Sequence, residues 1–169
     1  MKAIVYITYG PPDVLHLKEI KKPALYEEQV LVKVHAASIN AGDWHMLTAG
    51  LGSGSFAEYV SVPESALVLK PSNVSFVQAA SVPVAALTAL QGLRDQGHIQ
   101  LGQKVLINGA SGGVGTYAVQ IARAFGAEVI AVCSRRNLEM ARSIGADHVF
   151  DYNKEDFTQN GLQYDLTLR

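Results

Sequence analysis

The chain has 169 residues, 14 Lys+Arg against 15 Asp+Glu for a formal net charge of −1, and 17% charged residues against 49% apolar ones. A near-neutral chain with a pI of about 6.5 has no bulk attraction for nucleic acid or an anionic membrane surface, and so apolar a composition argues against disorder. The single cysteine, Cys133, excludes a disulfide scaffold and a cysteine-rich zinc site, and points to a reducing, cytoplasmic setting.

The elements begin with β structure. The run Met1–Ile7 is too short for a signal peptide or a membrane span, and a strand over Ala3–Thr8 ends at the turn Gly10-Pro11-Pro12. Alternation predicts further strands at Leu15–Ile20 and at Gln29–Ala37, where Val30, Val32 and Val34 share one face. Gly50–Ser55 reads as a loop. Strands follow at Phe56–Pro63 and Ala66–Leu69, and Lys70-Pro71-Ser72-Asn73 closes a β section assigned to residues 1–73. From residue 74 the pattern turns helical. Ser75 can cap a short turn, and Ser81 a longer helix with Pro83 near its start. Ala79–Leu93 comes nearest to a membrane span, but Ser81, Pro83, Thr88, Gln91 and Gly92 interrupt it, so no membrane partner is expected.

Residues 74–169 then alternate strand and helix. Lys104–Asn108 is a short buried strand. Val114, Tyr117, Ala118, Ile121, Ala122 and Phe125 recur at helical spacing and stop at Gly126. Glu128–Cys133 is a second strand. Leu138, Ala141 and Ile144 line a helix closed by Gly145, His148–Tyr152 is a third strand, and Tyr164–Leu168 begins a fourth. The order implies a parallel α/β sheet.

The chemistry concentrates in Asn108-Gly109-Ala110-Ser111-Gly112-Gly113-Val114-Gly115, between the first of these strands and its helix. Glycines at 109, 112 and 115 let the backbone turn tightly and approach a pyrophosphate, which the free N–H groups of the helix's first turn then face. The bland reading is a tight packing turn, but strand, loop, helix and second strand all fall where a dinucleotide fold needs them. After the second strand, an NAD site usually places an acid on the ribose 2′-OH. Here stand Ser134, Arg135, Arg136 and Asn137. Two guanidinium groups can pair with a 2′-phosphate, which favours NADPH over NADH; as solvated residues opening the next helix they would do neither. Tyr152 can stack on adenine or simply stand at a rim.

Gly102-Gln103, Leu106, Ala110-Ser111-Gly112-Gly113, Gly115, Gln120 and Arg123 match, in type and spacing, the signature of the quinone oxidoreductase or zeta-crystallin branch of the medium-chain dehydrogenases/reductases. Met1-Lys2-Ala3, Ser38–Trp44, Val62-Pro63-Glu64, Lys70-Pro71 and the Pro83/Thr88/Ala89 helix resemble that branch too. The resemblance implies a partial GroES-like β domain followed by the first half of a Rossmann sheet. It also implies zinc-independent hydride transfer from NADPH to a quinone or an α,β-unsaturated carbonyl. On the same basis Asn40 and Thr88 would face the nicotinamide and Trp44 or His45 would shape the substrate cleft. Gly112, Gly113 and Val114 would contact the pyrophosphate, Ser134 and Arg136, with Asn137, the 2′-phosphate, and Tyr152 the adenosine. One Cys and scattered His offer no zinc-ligand spacing of the usual kind. Two departures stand out: only residues 46–55 connect the Asp43-Trp44 region to the next strand, and the chain stops at the fourth Rossmann strand. They keep open a shortened, weakly active or inactive NADPH-binding module, and, more distantly, an interaction protein. A strand Val105–Ile107 with nothing on its outer side would be an apolar edge, so a homo-oligomer is expected.

Overall fold

The computed structural model describes residues 1–43, 45, 56–159 and 161–169. They form two compact units, residues 1–81 and 82–169. The division falls inside a helix, later than the 73/74 junction that composition suggests.

In the first unit β1 (Lys2–Val5) pairs antiparallel with β2 (His16–Glu19), and β3 (Gln29–Lys33) with β4 (Tyr59–Pro63). The segment leading into β4 ties the two ladders together. Ala57 bridges Ala3, the Ile4 N–H donates to the Phe56 carbonyl at 2.8 Å, and the Glu58 N–H donates to the Lys2 carbonyl at 3.0 Å. All four strands are shorter than the sequence predicts. The predicted strand Ala66–Leu69 is absent. Glu64–Ala66 make a 3₁₀ turn closed by the Leu67 N–H on the Glu64 carbonyl, and Val68 and Leu69 are exposed. An apolar run makes a strand only where a second strand offers its backbone groups, and none pairs with this segment among the described residues.

The helical region also differs from expectation. Ser75 and Gln78 cap each other: the Ser75 N–H donates to Gln78 Oε1 at 2.8 Å and the Gln78 N–H to Ser75 Oγ at 3.2 Å. This reciprocal box satisfies two orphan donors, so one continuous helix, α1 (Phe76–Leu90), starts there. Ser81 is therefore interior and not a cap, and Pro83 lies inside the helix at the cost of one i→i−4 bond. The next residues, Gln91–Gln96, wind as a π turn, with the Gly97 N–H on the Gly92 carbonyl at 2.9 Å. Phe76–Gln96 is long and apolar enough to cross a membrane by length and composition alone. Its Ala89 and Leu93, however, belong to one buried cluster with Val105 and Ile107.

The second unit carries a parallel sheet in the order β7 (His148–Asp151), β6 (Glu128–Cys133), β5 (Lys104–Asn108), β8 (Leu166–Leu168). In chain order this is 3-2-1-4, the first half of a doubly wound fold, with its topological switch between β5 and β8. Alternate residues serve opposite faces. Val105, Ile107, Val129, Ala131 and Cys133 pack with α2 (Gly113–Ala124) and α3 (Leu138–Ser143), while Leu106, Ile130 and Val132 pack with Phe150, Phe157 and Tyr164. The return segment 152–165 thus supplies part of the second face. The strand β5 is interior: Val105 pairs with Leu166 and Ile107 with Leu168. The exposed edge expected at Val105–Ile107 is not there, and with it goes the physical reason for expecting a homo-oligomer.

The π turn is notched to receive β8. A Cβ at Gly97 would lie 2.7 Å from a Leu166 methyl and 2.9 Å from the Gly92 carbonyl oxygen. The leucine can rotate, but the carbonyl is held by the turn. Gly97→Ala should therefore cost about 1–2 kcal/mol, read as a lower urea midpoint with an unchanged m-value. A wild-type midpoint would show that the notch is not tight.

Candidate functional site

The glycine loop closes the C-terminal end of β5. Gly109 takes φ of 75°, a left-handed conformation that glycine adopts without strain. The Gly109 and Ala110 N–H groups both donate to the Val132 carbonyl, at 3.1 and 3.0 Å, clamping the loop to β6. The Gly112 N–H returns to the Gly109 carbonyl at 2.9 Å and the Thr116 N–H to the Gly112 carbonyl at 2.9 Å. Between them lie Gly113, Val114 and Gly115, the first residues of α2. Their N–H groups have no intrahelical acceptor, and no side chain caps this helix.

A Cβ at Gly115 would collide with the Gly109 carbonyl oxygen and lie 2.8 Å from Ala110 Cα. Helix and loop therefore touch backbone to backbone, which leaves the first turn open to an anion. Ser111 is half-buried. The loop also borders α1: a Cβ on Gly113 would sit 3.9 Å from Ala85 Cβ. Thr88, one turn further along, is exposed, and its hydroxyl donates to the Val84 carbonyl at 2.7 Å.

At the end of β6, Ser134 leads into a 3₁₀ turn, Arg135–Asn137. Asn137 folds back, its N–H on the Ser134 carbonyl at 2.8 Å and its side-chain Nδ2 on Ser134 Oγ at 3.0 Å. Arg135 and Arg136 are exposed, and neither enters an ion pair among the described residues. Tyr152 follows β7 with its ring largely exposed. The loop residues 109–115, the 134–137 turn and Tyr152 thus all lie just beyond the C-terminal ends of adjacent strands, as a nucleotide laid across the sheet requires.

In the first unit, Asn40 is half-buried. Its N–H donates to Asp43 Oδ2 at 2.7 Å and its side-chain Nδ2 to Ser38 Oγ at 3.0 Å. Trp44 lies outside the described residues. Among the described residues no three His, Cys, Asp or Glu side chains gather as a metal cluster. Cys133 is buried, and burial first, then the nearby Asp151 carboxylate, push its thiol pKa up, which makes it a poor nucleophile.

Two contributors escape the sequence reading. The Val132 carbonyl that clamps the loop is backbone and carries no residue-type signal. The buried Asp151 does carry one, the spacing Asp151-Tyr152-Asn153, which suits a side-chain-to-backbone turn.

The chain is similar to known proteins over most of its length. The zinc-binding dehydrogenase domain family matches residues 113–163, the stretch from α2 through the return segment. The chloroplastic quinone-oxidoreductase homolog of Spinacia oleracea is 31% identical, over 99% of this chain and 67% of that protein. The chloroplastic NADPH-dependent alkenal/one oxidoreductase of Arabidopsis thaliana is 34% identical, over 99% of this chain and 56% of that protein. Among solved structures, the quinone oxidoreductase of Thermus thermophilus, determined also in complex with NADPH, superposes with a TM-score of 0.84 at 31% identity, over 90% of this chain and 60% of that one. The chain spans little more than half the length of several curated relatives it matches.

The loop geometry sets a direct test. Gly115→Ala gains about 1 kcal/mol of helix propensity but meets backbone that cannot rotate away, an overpacking cost of about 3 kcal/mol. A net loss of about 2 kcal/mol in denaturant unfolding is expected, and an unchanged or raised stability would show that α2 can lift off the loop.

Proposed function

The chain belongs to the quinone oxidoreductase branch of the medium-chain dehydrogenases/reductases, and from that premise we propose that it acts as an NADPH-dependent oxidoreductase on a quinone or an α,β-unsaturated carbonyl, without zinc. The observation that carries the reading is the open first turn of α2 held against the glycine loop. Its uncapped N–H groups would receive a pyrophosphate, and the helix can lie this close to the loop because Gly115 has no β-carbon to strike the Gly109–Ala110 backbone.

The residues present suit the dinucleotide. The N–H groups of Gly113, Val114 and Gly115 would receive the pyrophosphate, with Ser111 beside them. Ser134 Oγ and the exposed guanidinium groups of Arg135 and Arg136 would receive the 2′-phosphate, and Asn137 would hold Ser134 in place. Tyr152 would flank the adenosine. When bound, NADPH supplies the hydride. The protein's part is binding and orientation, and no general acid is assigned.

Titration with NADPH and with NADH, followed by fluorescence, tests the cofactor. Arg136→Glu should weaken NADPH by at least about tenfold, the scale of one charged hydrogen bond, while leaving NADH nearly unchanged. Equal losses for the two would make Arg136 structural.

Loss of NADPH absorbance in the presence of a quinone or a 2-alkenal tests turnover. A rate above the protein-free background supports the reductase. NADPH binding at the background rate would leave a nucleotide-binding module, and failure to bind either nucleotide at millimolar concentration would overturn both readings.

A further inference from the structure

Among the described residues, Asp151 is the buried charged residue of the second unit, 4% exposed, at the last position of β7 opposite Cys133 of β6. Burying a carboxylate is costly unless hydrogen bonds compensate, so where its bonds go is informative. Among the described residues, the side-chain bonds of Asp151 go to a single partner. Its Oδ1 accepts the Asn153 N–H at 3.1 Å and the Asn153 side-chain Nδ2 at 3.2 Å. Its main-chain carbonyl accepts the Lys154 and Glu155 N–H groups at 2.9 and 3.0 Å. The residue enclosed by these bonds is Tyr152, whose own N–H reaches across to the Cys133 carbonyl at 3.4 Å. The Tyr152 backbone is thus fixed from both sides while its ring stays exposed. Because Cys133 and Asp151 are paired in register, Ser134 and Tyr152 emerge side by side from neighbouring strands.

We propose that Asp151 is a positioning residue: its carboxylate closes the 151–153 turn and so fixes the backbone from which the Tyr152 ring projects, on the adenosine side of the nucleotide and next to the 134–137 turn. The proposal rests on the reading that Tyr152 flanks the adenosine. Asp151 touches no nucleotide itself and acts through the turn. A preset turn spares the ordering of this backbone segment when the nucleotide arrives. An acceptor oxygen at this position is what the device needs, since both bonds to Asn153 are donated to Oδ1.

The test is a double-mutant cycle read as equilibrium NADPH binding by the whole chain, with thermal midpoints measured in parallel. Tyr152→Ala should weaken NADPH about tenfold, the scale of one base–aromatic stack. Asp151→Ala should weaken it several-fold in the wild-type background and have no further effect when Tyr152 is already Ala, because residues acting through one another are not additive. Asp151→Asn, which keeps an acceptor oxygen, should bind NADPH within about twofold of wild type.

Should Asp151→Ala weaken NADPH equally with and without Tyr152, the carboxylate does not act through the ring and the proposal fails, while the adenosine reading stands. If Tyr152→Ala binds NADPH like wild type, the adenosine reading and the proposal fall together. The thermal midpoints separate a general loss of stability, which would persist in both backgrounds, from the loss of binding, which should not.

Discussion

Much of the second unit depends on how closely α2 approaches the end of β5. At Gly115 the helix backbone rests on the Gly109–Ala110 backbone with no room for a β-carbon. An approach that close fixes three other features. It forces a left-handed residue at Gly109 so that the chain can reverse. It spends the Gly109 and Ala110 donors on Val132, joining the loop to the neighbouring strand. It also leaves the helix's first N–H groups with no side-chain cap, so that the positive end of the helix dipole is open to an anion.

The low charge content has its cause in the sheet that this contact anchors. A parallel sheet is covered on both faces, so its strands are apolar at consecutive positions. Val105, Leu106 and Ile107 are all buried, as are Val129 through Cys133. Helices cover one face, and the return segment with Phe157 and Tyr164 covers residues of the other. Such strands contribute no charge to the composition. The first unit contrasts with this. Its strands are two-stranded ladders, and among its described residues only Ala3 is fully buried apolar.

The parts of the fold that were legible in the sequence are those whose burial is set by their own neighbours in the chain. Strands β5, β6 and β7 and helix α2 fall close to their predicted limits, because an apolar run between Gly126, Gly145 and the glycine loop admits few alternatives. The first seventy residues were harder. The apolar run Ala66–Leu69 suits a strand as well as Gln29–Lys33 does by composition, but among the described residues only the latter has a partner strand, and pairing is a long-range fact. Ser75 and Ser81 illustrate the same limit within a helix. Both are acceptable caps by type, and the decision lies with Gln78, whose side chain reaches back to Ser75. At the site, glycines and arginines announce themselves by type. The carbonyl of Val132 and the burial of Asp151 do not, because each acquires its role only when β6 lies beside its neighbours.

In the function proposed, the three strand ends would divide the work of holding a nucleotide according to what each can offer. The end of β5 passes into a long helix and offers backbone donors, which suit a diffuse pyrophosphate charge and need no side chain. The end of β6 passes into a short 3₁₀ turn whose own donors are partly spent on Ser134, so charge there must come from side chains, and Arg135 and Arg136 supply it. The end of β7 passes into a turn closed by a buried carboxylate, which would repel a phosphate at close range. It is therefore the end suited to an uncharged group, and it presents an aromatic ring. Anion by backbone, anion by guanidinium and base by ring follow one another across β5, β6 and β7, in the order in which pyrophosphate, ribose 2′-phosphate and adenine would cross the sheet.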